Sequence, residues 1–285
     1  MKNIKLKSFC KINLSLRVIK KLNNNYHLIQ SLVTFGKIYD EINLKEIKSN
    51  KDIIVFRGHF KKGISIKNNS ITKTFDTLRA NNYIKKKFFK IIITKNIPTQ
   101  AGLGGGSMNA STLINFIIKY YKIRINKKKL ANIMLNIGSD VILGLEAKNI
   151  LLKDLKKTIT TNRNLNFYML LVKPNIDCST KLIFTQNKSF SKPYKVKKNS
   201  INVFFEIESL KNDRNDLEKV VFKMYPRIKR LCNLIENQKQ CEFSRMTGSG
   251  SVCIGYFKSL KFAKKARQSI KYYFPNYWSR ISKAI

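Results

Sequence analysis

Ile97-Pro98-Thr99-Gln100-Ala101-Gly102-Leu103-Gly104-Gly105-Gly106-Ser107-Met108-Asn109-Ala110 is the glycine-dense segment of this chain. An apolar run, Phe88-Phe89-Lys90-Ile91-Ile92-Ile93-Thr94, precedes it and reads as a strand; Leu113, Phe116, Ile117 and Tyr120 follow at helical spacing. Strand, glycine turn and helix in that order make a place where backbone N–H groups and a positive helix end hold phosphate unobstructed by side chains. No Gly-Lys-Ser/Thr follows, so this is not a Walker A loop. Ser107 stands where the dinucleotide fingerprint needs its third glycine.

Working outward, Ile12, Leu14, Leu16 and Val18 alternate with Asn13, Ser15 and Arg17, which predicts a strand with one buried face and Lys11 and Asn13 together on the other. Residues 51 to 57 also read as a strand, and Ser70 to Tyr83 as a helix. Leu130, Ile133, Met134 and Ile137 predict a further helix, with Gly138 to stop it and Ser139 and Asp140 as capping residues. The polar stretch from about Lys153 to Asn166 is the expected domain boundary, dividing the chain into 1–155 and 156–285. Beyond it a strand (167–172), helices near 216–224 and 227–238, and a strand (252–257) entered through Thr247-Gly248-Ser249-Gly250-Ser251 predict an α+β second half.

At 285 residues, with 43% hydrophobic and 26% charged, the chain lies in the globular range and outside the composition of disorder. Its formal charge of +41 would ordinarily point to a polyanionic partner. The lysines, however, are spread along the whole chain among Ile and Asn, as AT-rich codon use would produce, so no specific nucleic-acid partner is expected, only salt-sensitive adsorption. Five scattered cysteines, none spaced Cys-x-x-Cys, indicate neither a disulfide framework nor a zinc site, and fit a reducing cytoplasm. The basic start lacks the apolar stretch of a signal peptide, and no run is long enough to span a bilayer; no membrane partner is expected. With only His27 and His59, a histidine metal cluster is not expected either.

Pro98-x-x-x-Gly102-Leu103-Gly104 followed by small residues resembles the phosphate loop of the GHMP kinases. Its triple glycine is similar to the branch of that family that phosphorylates a cytidine-diphosphate-linked methylerythritol. Lys11-Ile12-Asn13-Leu14 resembles the family's first motif and Arg245-Met246-Thr247-Gly248-Ser249-Gly250-Ser251 its third; Asn215-Asp216-Leu217-Glu218 and Tyr26-His27 match further segments in the same order. The resemblance implies a two-domain α+β GHMP fold. Its N-terminal nucleotide domain would be ribosomal-protein-S5-like, and its C-terminal substrate domain a ferredoxin-like α/β-sandwich.

It also implies roles. Asp140, in Gly138-Ser139-Asp140-Val141, would be the general base, with Lys11 as its electrostatic partner, orienting the hydroxyl and offsetting phosphoryl charge. Pro98 and Ala101 to Ser107 (Ala101, Gly102, Leu103, Gly104, Gly105, Gly106, Ser107) would cradle ATP, with Asn69 and Lys95 near its adenine. Asn13, Thr180, Gly248, Ser249 and Gly250 would bind the second substrate. Its cytosine would stack between Tyr26 and Phe184 and be read by His27. ATP with Mg²⁺ is the implied cofactor, with no protein metal cage, in a monomer or homodimer. Four positions depart from the family pattern: Gln100 replaces a glycine, Met108 a serine, Ile142 a proline and Asn25 a glycine. The rival readings are another GHMP kinase, acting on a mevalonate-like alcohol, homoserine or a sugar, and a basic RNA-binding protein.

Overall fold

A computed structural model describes residues 3–22, 26–196 and 200–285. By packing, the chain forms two compact units that interleave in sequence. One comprises the segment ending at Lys11 with Ile38–Thr99 and Gly104–Ala147; the other comprises Ile12–Lys37, Gln100–Leu103 and Lys148–Ile285.

In the first unit the strand β5 (Phe88–Thr94) is the one read from its apolar run, and its exposure alternates as a half-buried strand should. It pairs in parallel with β4 (Ile53–Arg57) and antiparallel with the later half of β3 (His27–Ile47), Glu41 opposite Thr94. Against this face lie α1 (Ser70–Ala80) and α2 (Gly105–Tyr120). Ile42, Leu44, Phe75, Leu78, Phe89, Ile91, Ile93, Leu113 and Ile117 form the core there. A second cluster joins α2 to α3 (Lys127–Ile137) through Ile114, Ile133, Met134 and Val141. The helix expected to reach Tyr83 ends at Ala80, where the backbone N–H of Asn81 closes the last turn on Thr77.

The second unit contains a four-stranded antiparallel sheet in the order β11 (Trp278–Lys283), β8 (Tyr168–Lys173), β10 (Cys253–Phe257), β9 (Cys241–Met246). Central β10 is buried throughout, whereas edge strand β11 is only partly covered, with Arg280 and Lys283 exposed. Helices α4 (Thr180–Gln186), α5 (Ile207–Lys211), α6 (Glu218–Met224) and α7 (Pro226–Glu236) follow β8 in the chain, and α8 (Leu260–Tyr273) follows β10. Strand, helices, strand, strand, helix, strand, in the spatial order fourth, first, third, second, is the ferredoxin-like arrangement. Helices α7 and α8 pack on the sheet, and Ile228, Leu231, Ile235, Ala263, Ala266 and Ile270 seal its core. The polar stretch at 153–166 carries β7 (Thr158–Thr161), paired antiparallel with β6 (Asn149–Leu152).

The strand expected over residues 12 to 18 is two strands. β1 (Ile4–Asn13) stops where the N–H groups of both Leu14 and Ser15 converge on the Leu32 carbonyl; β2 (Arg17–Lys21) resumes after Leu16 bridges to Asn215. Both faces are covered: Lys11, Asn13 and Ser15 are as buried as Ile12, Leu14 and Leu16.

Candidate functional site

In the first unit, the glycine-rich segment opens α2. Gly104 is its N-cap at φ 64°, with no side-chain cap and no acidic residue in the first turn, so no side chain of that turn competes for the leading amides. A methyl group on Gly104 would lie 2.6 Å from Lys11 Cγ, so the stem of Lys11 runs against this cap. Its ammonium is 3.1 Å from Asp140 Oδ2, with the lysine side chain 5% exposed and the aspartate 28%. Asp140 begins a 3-10 turn (Val141–Leu145) but makes no side-chain capping bond there. Ser107 stands near Gly138, its Oγ 3.9 Å from where a Gly138 methyl would be.

Lys95, just beyond β5, is buried and ion-paired with Asp40; its Nζ lies 3.2 Å from the position of a Gly105 methyl. Pro98 is buried nearby in sequence. Asn69 is occupied locally. Its Oδ1 accepts from the N–H groups of Ile71 and Thr72, and its Nδ2 donates to the carbonyls of Ser65 and Ile66, which makes it the N-cap of α1. Ser70, which the sequence did not single out, donates from Oγ to the Gly106 carbonyl at 2.8 Å and ties α1 to the glycine turn.

In the second unit, Gly102 (φ 74°) and Gly248 (φ 57°) turn against each other. The hydroxyl of Thr247 accepts from the Asn13 N–H at 2.9 Å and reaches the Gly102 carbonyl at 3.3 Å. Asn13 Nδ2 donates to Ser31 Oγ at 2.7 Å. The Thr247–Gly250 turn is braced from behind. Asn215 Nδ2 donates to the carbonyls of Met246 and Gly248, both at 2.8 Å, and Glu218 Oε1 accepts the Met246 N–H at 2.7 Å. Arg245 reaches the Leu14 carbonyl at 2.6 Å. Ser249 and Thr180 share a hydroxyl hydrogen bond at 2.8 Å; Thr180 opens α4 (Thr180–Gln186).

Phe184, on α4, sets its ring 5.2 Å from that of His27, tilted 35°. His27 is buried, and burial first, then the charge of Lys21, holds its pKa below the ordinary histidine value, so the ring is neutral near pH 7. Tyr26 is 57% exposed. Asn25 lies outside the described residues.

The other departures have structural readings. Gln100 takes φ 49°, the left-handed region that glycine enters freely. Met108 and Ile142 are buried, each 2% exposed, and act as core residues; Met108 packs beside Gly144 in the 3-10 turn.

Two family models match: GHMP kinases N terminal domain over residues 69–147 and GHMP kinases C terminal over 195–276. A 4-diphosphocytidyl-2-C-methyl-D-erythritol kinase of Pelagibacter ubique is 41% identical over the whole of both chains. The chain belongs to the GHMP kinases, in the diphosphocytidyl-methylerythritol kinase branch.

Other kinases of this branch from Clostridium botulinum and from the Wolbachia of Brugia malayi are 34% and 30% identical, covering 89% and 96% of the chain. The GHMP fold is likewise seen in a solved 4-(cytidine 5'-diphospho)-2C-methyl-D-erythritol kinase, with TM-score 0.76, 19% identity and 98% of this chain covered. A homoserine kinase from Cytophaga hutchinsonii shares the fold at TM-score 0.70 and 14% identity. As in the GHMP kinases generally, the activity is ATP-dependent phosphorylation of a small molecule. Among the described residues no helix is long and apolar enough to cross a membrane, and no group of three or more His, Cys, Asp or Glu side chains is placed to hold a metal.

Proposed function

We propose that this chain transfers the γ-phosphoryl group of ATP to the 2-hydroxyl of 4-diphosphocytidyl-2-C-methyl-D-erythritol, a step in isoprenoid precursor synthesis. The observation that carries the reading is the Lys11–Asp140 pair, whose lysine stem rests on the N-cap glycine of a helix free of first-turn acids. Asp140 takes the proton of the attacking hydroxyl. The hydroxyl oxygen forms the new bond to phosphorus, and ADP departs with the electrons of the broken P–O bond. Lys11 keeps Asp140 oriented and offsets charge on the moving phosphoryl group.

Gly104 to Ser107 hold the phosphates on the leading amides of α2, and Lys95 lies beneath them. In the second unit, His27 reads the cytosine edge beside Phe184, and exposed Tyr26 is available to stack on the base. Asn13, Thr180 and the Gly248–Gly250 turn bind the remainder of the alcohol. Mg²⁺ would enter as the ion carried by ATP, neutralising phosphate charge. A reducing compartment suits the five cysteine thiols.

The test is ADP release by the purified chain with Mg-ATP and this alcohol, alongside mevalonate and homoserine. Turnover confined to the cytidine-bearing alcohol supports the reading; preference for either of the others overturns it.

A further inference from the structure

Asp40 lies on β3, far in sequence from the glycine-rich segment, and no motif marks it. It is fully buried, and its two oxygens gather four donors. Oδ1 accepts the N–H groups of Asn96 and Ile97, both at 2.8 Å; Oδ2 accepts Asn109 Nδ2 at 3.0 Å and the Lys95 ammonium. Asn96 and Ile97 lead into the glycine-rich segment, and Asn109 lies in the helix that leaves it. One carboxylate therefore fixes both flanks of the segment.

Two of these partners also form the surface beneath Gly105. A methyl on Gly105 would meet Ile97 Cγ2 at 3.1 Å and Lys95 Nζ at 3.2 Å. Lys95 is itself only 2% exposed, so its ammonium has lost most of its water and depends on Asp40 for compensation. Asn109 Oδ1 is buried without a hydrogen-bond partner, which leaves its Nδ2 contact to Asp40 as the one that orients the amide.

We infer that Asp40 is a positioning residue for ATP: by fixing Lys95, Ile97 and Asn109 at once, it sets the height and direction of the first amides of α2. This rests on the reading that the glycine-rich segment holds ATP. Asp40 touches no substrate and acts through the groups it holds.

The experiment compares native chain, Asp40→Asn, Asn109→Leu, Lys95→Met and the Asp40→Asn/Lys95→Met double variant. For each, kcat, the KM for ATP, the KM for the alcohol and the thermal midpoint are measured. Asp40→Asn is expected to raise the KM for ATP on the order of 10- to 100-fold, the scale of a misplaced binding group, while the KM for the alcohol stays within about twofold. The double variant should be no worse for ATP than the more affected single one, since both act through one contact. Asn109→Leu, which leaves the ion pair intact and so guards against loss of folding, is expected to raise the KM for ATP several-fold. A lowered midpoint with an unchanged KM for ATP, or equal rises in both KM values, overturns the inference. If Lys95→Met leaves the KM for ATP unchanged, the nucleotide reading itself fails. If Lys95→Met raises it and neither Asp40→Asn nor Asn109→Leu does, only the role of Asp40 is lost.

Discussion

The Lys11 ammonium lies 3.1 Å from Asp140 Oδ2, and the lysine is the more buried of the two. The pair is thus open from the aspartate side, as the proposed proton acceptor must be. Asp140→Asn keeps the shape and removes the acceptor. It is expected to lower kcat by roughly 100- to 10,000-fold with the KM for ATP little changed, measured by steady-state ADP release.

Lys11→Met keeps much of the stem and removes the charge. A similar loss in kcat is expected, with folding retained because the apolar packing against Gly104 persists. Circular dichroism and thermal melting check the second half of that statement.

Burial holds the His27 pKa below its ordinary value, so protonation in the folded state occurs only on acidification below that value. Stability linked to this group is present above about pH 6.5 and lost as pH falls through the folded pKa. The KM for the cytidine-bearing alcohol should rise over the same acidic range, because a charged imidazole no longer offers an acceptor to the base. His27→Gln should flatten that rise in a KM-versus-pH profile.

Glu218 behaves in the opposite sense. Burial is the largest cause raising it to about 7, against the Met246 N–H, which favours its ionised form. The folded state holds the proton more tightly than the unfolded one, so its contribution is fully present below about pH 4.5 and lost as pH rises through about 7. The change is on the order of 3 kcal/mol at most. Glu218→Gln can still accept from Met246 and should remove that slope from chemical-denaturation stabilities measured between pH 5 and 8.

A net charge of +41 should draw anionic ATP toward the protein and be screened by salt. The ratio kcat/KM for ATP is expected to fall several-fold between about 20 and about 300 mM NaCl, with kcat steady. Flat kcat/KM over that range would show that the charge does not steer this substrate.

Local pattern and motif order made the glycine segment, β5, α2 and α3 legible, because the side chains that define them are near neighbours in sequence. β3 was not read, because its successive stretches serve different partner strands and its alternation is broken accordingly. Asp40 was invisible for a related reason: its donors lie 55 to 69 positions away, and a lone aspartate in a strand carries no signature. Asn215 and Glu218 were visible as a motif, but their task of bracing the Thr247–Gly250 turn emerged only from the hydrogen bonds. Asn69 is placed near the adenine by family resemblance alone, and its capping of α1 emerged only from its hydrogen bonds.

The contact between Gly104 and the Lys11 stem constrains how this enzyme can vary. Any side chain at Gly104 displaces the lysine beside Asp140, and a shorter residue at Lys11 withdraws the surface on which the cap rests. A library randomised at both codons together should yield surviving pairs rather than two independent sets of winners, and single-site scans would miss those pairs.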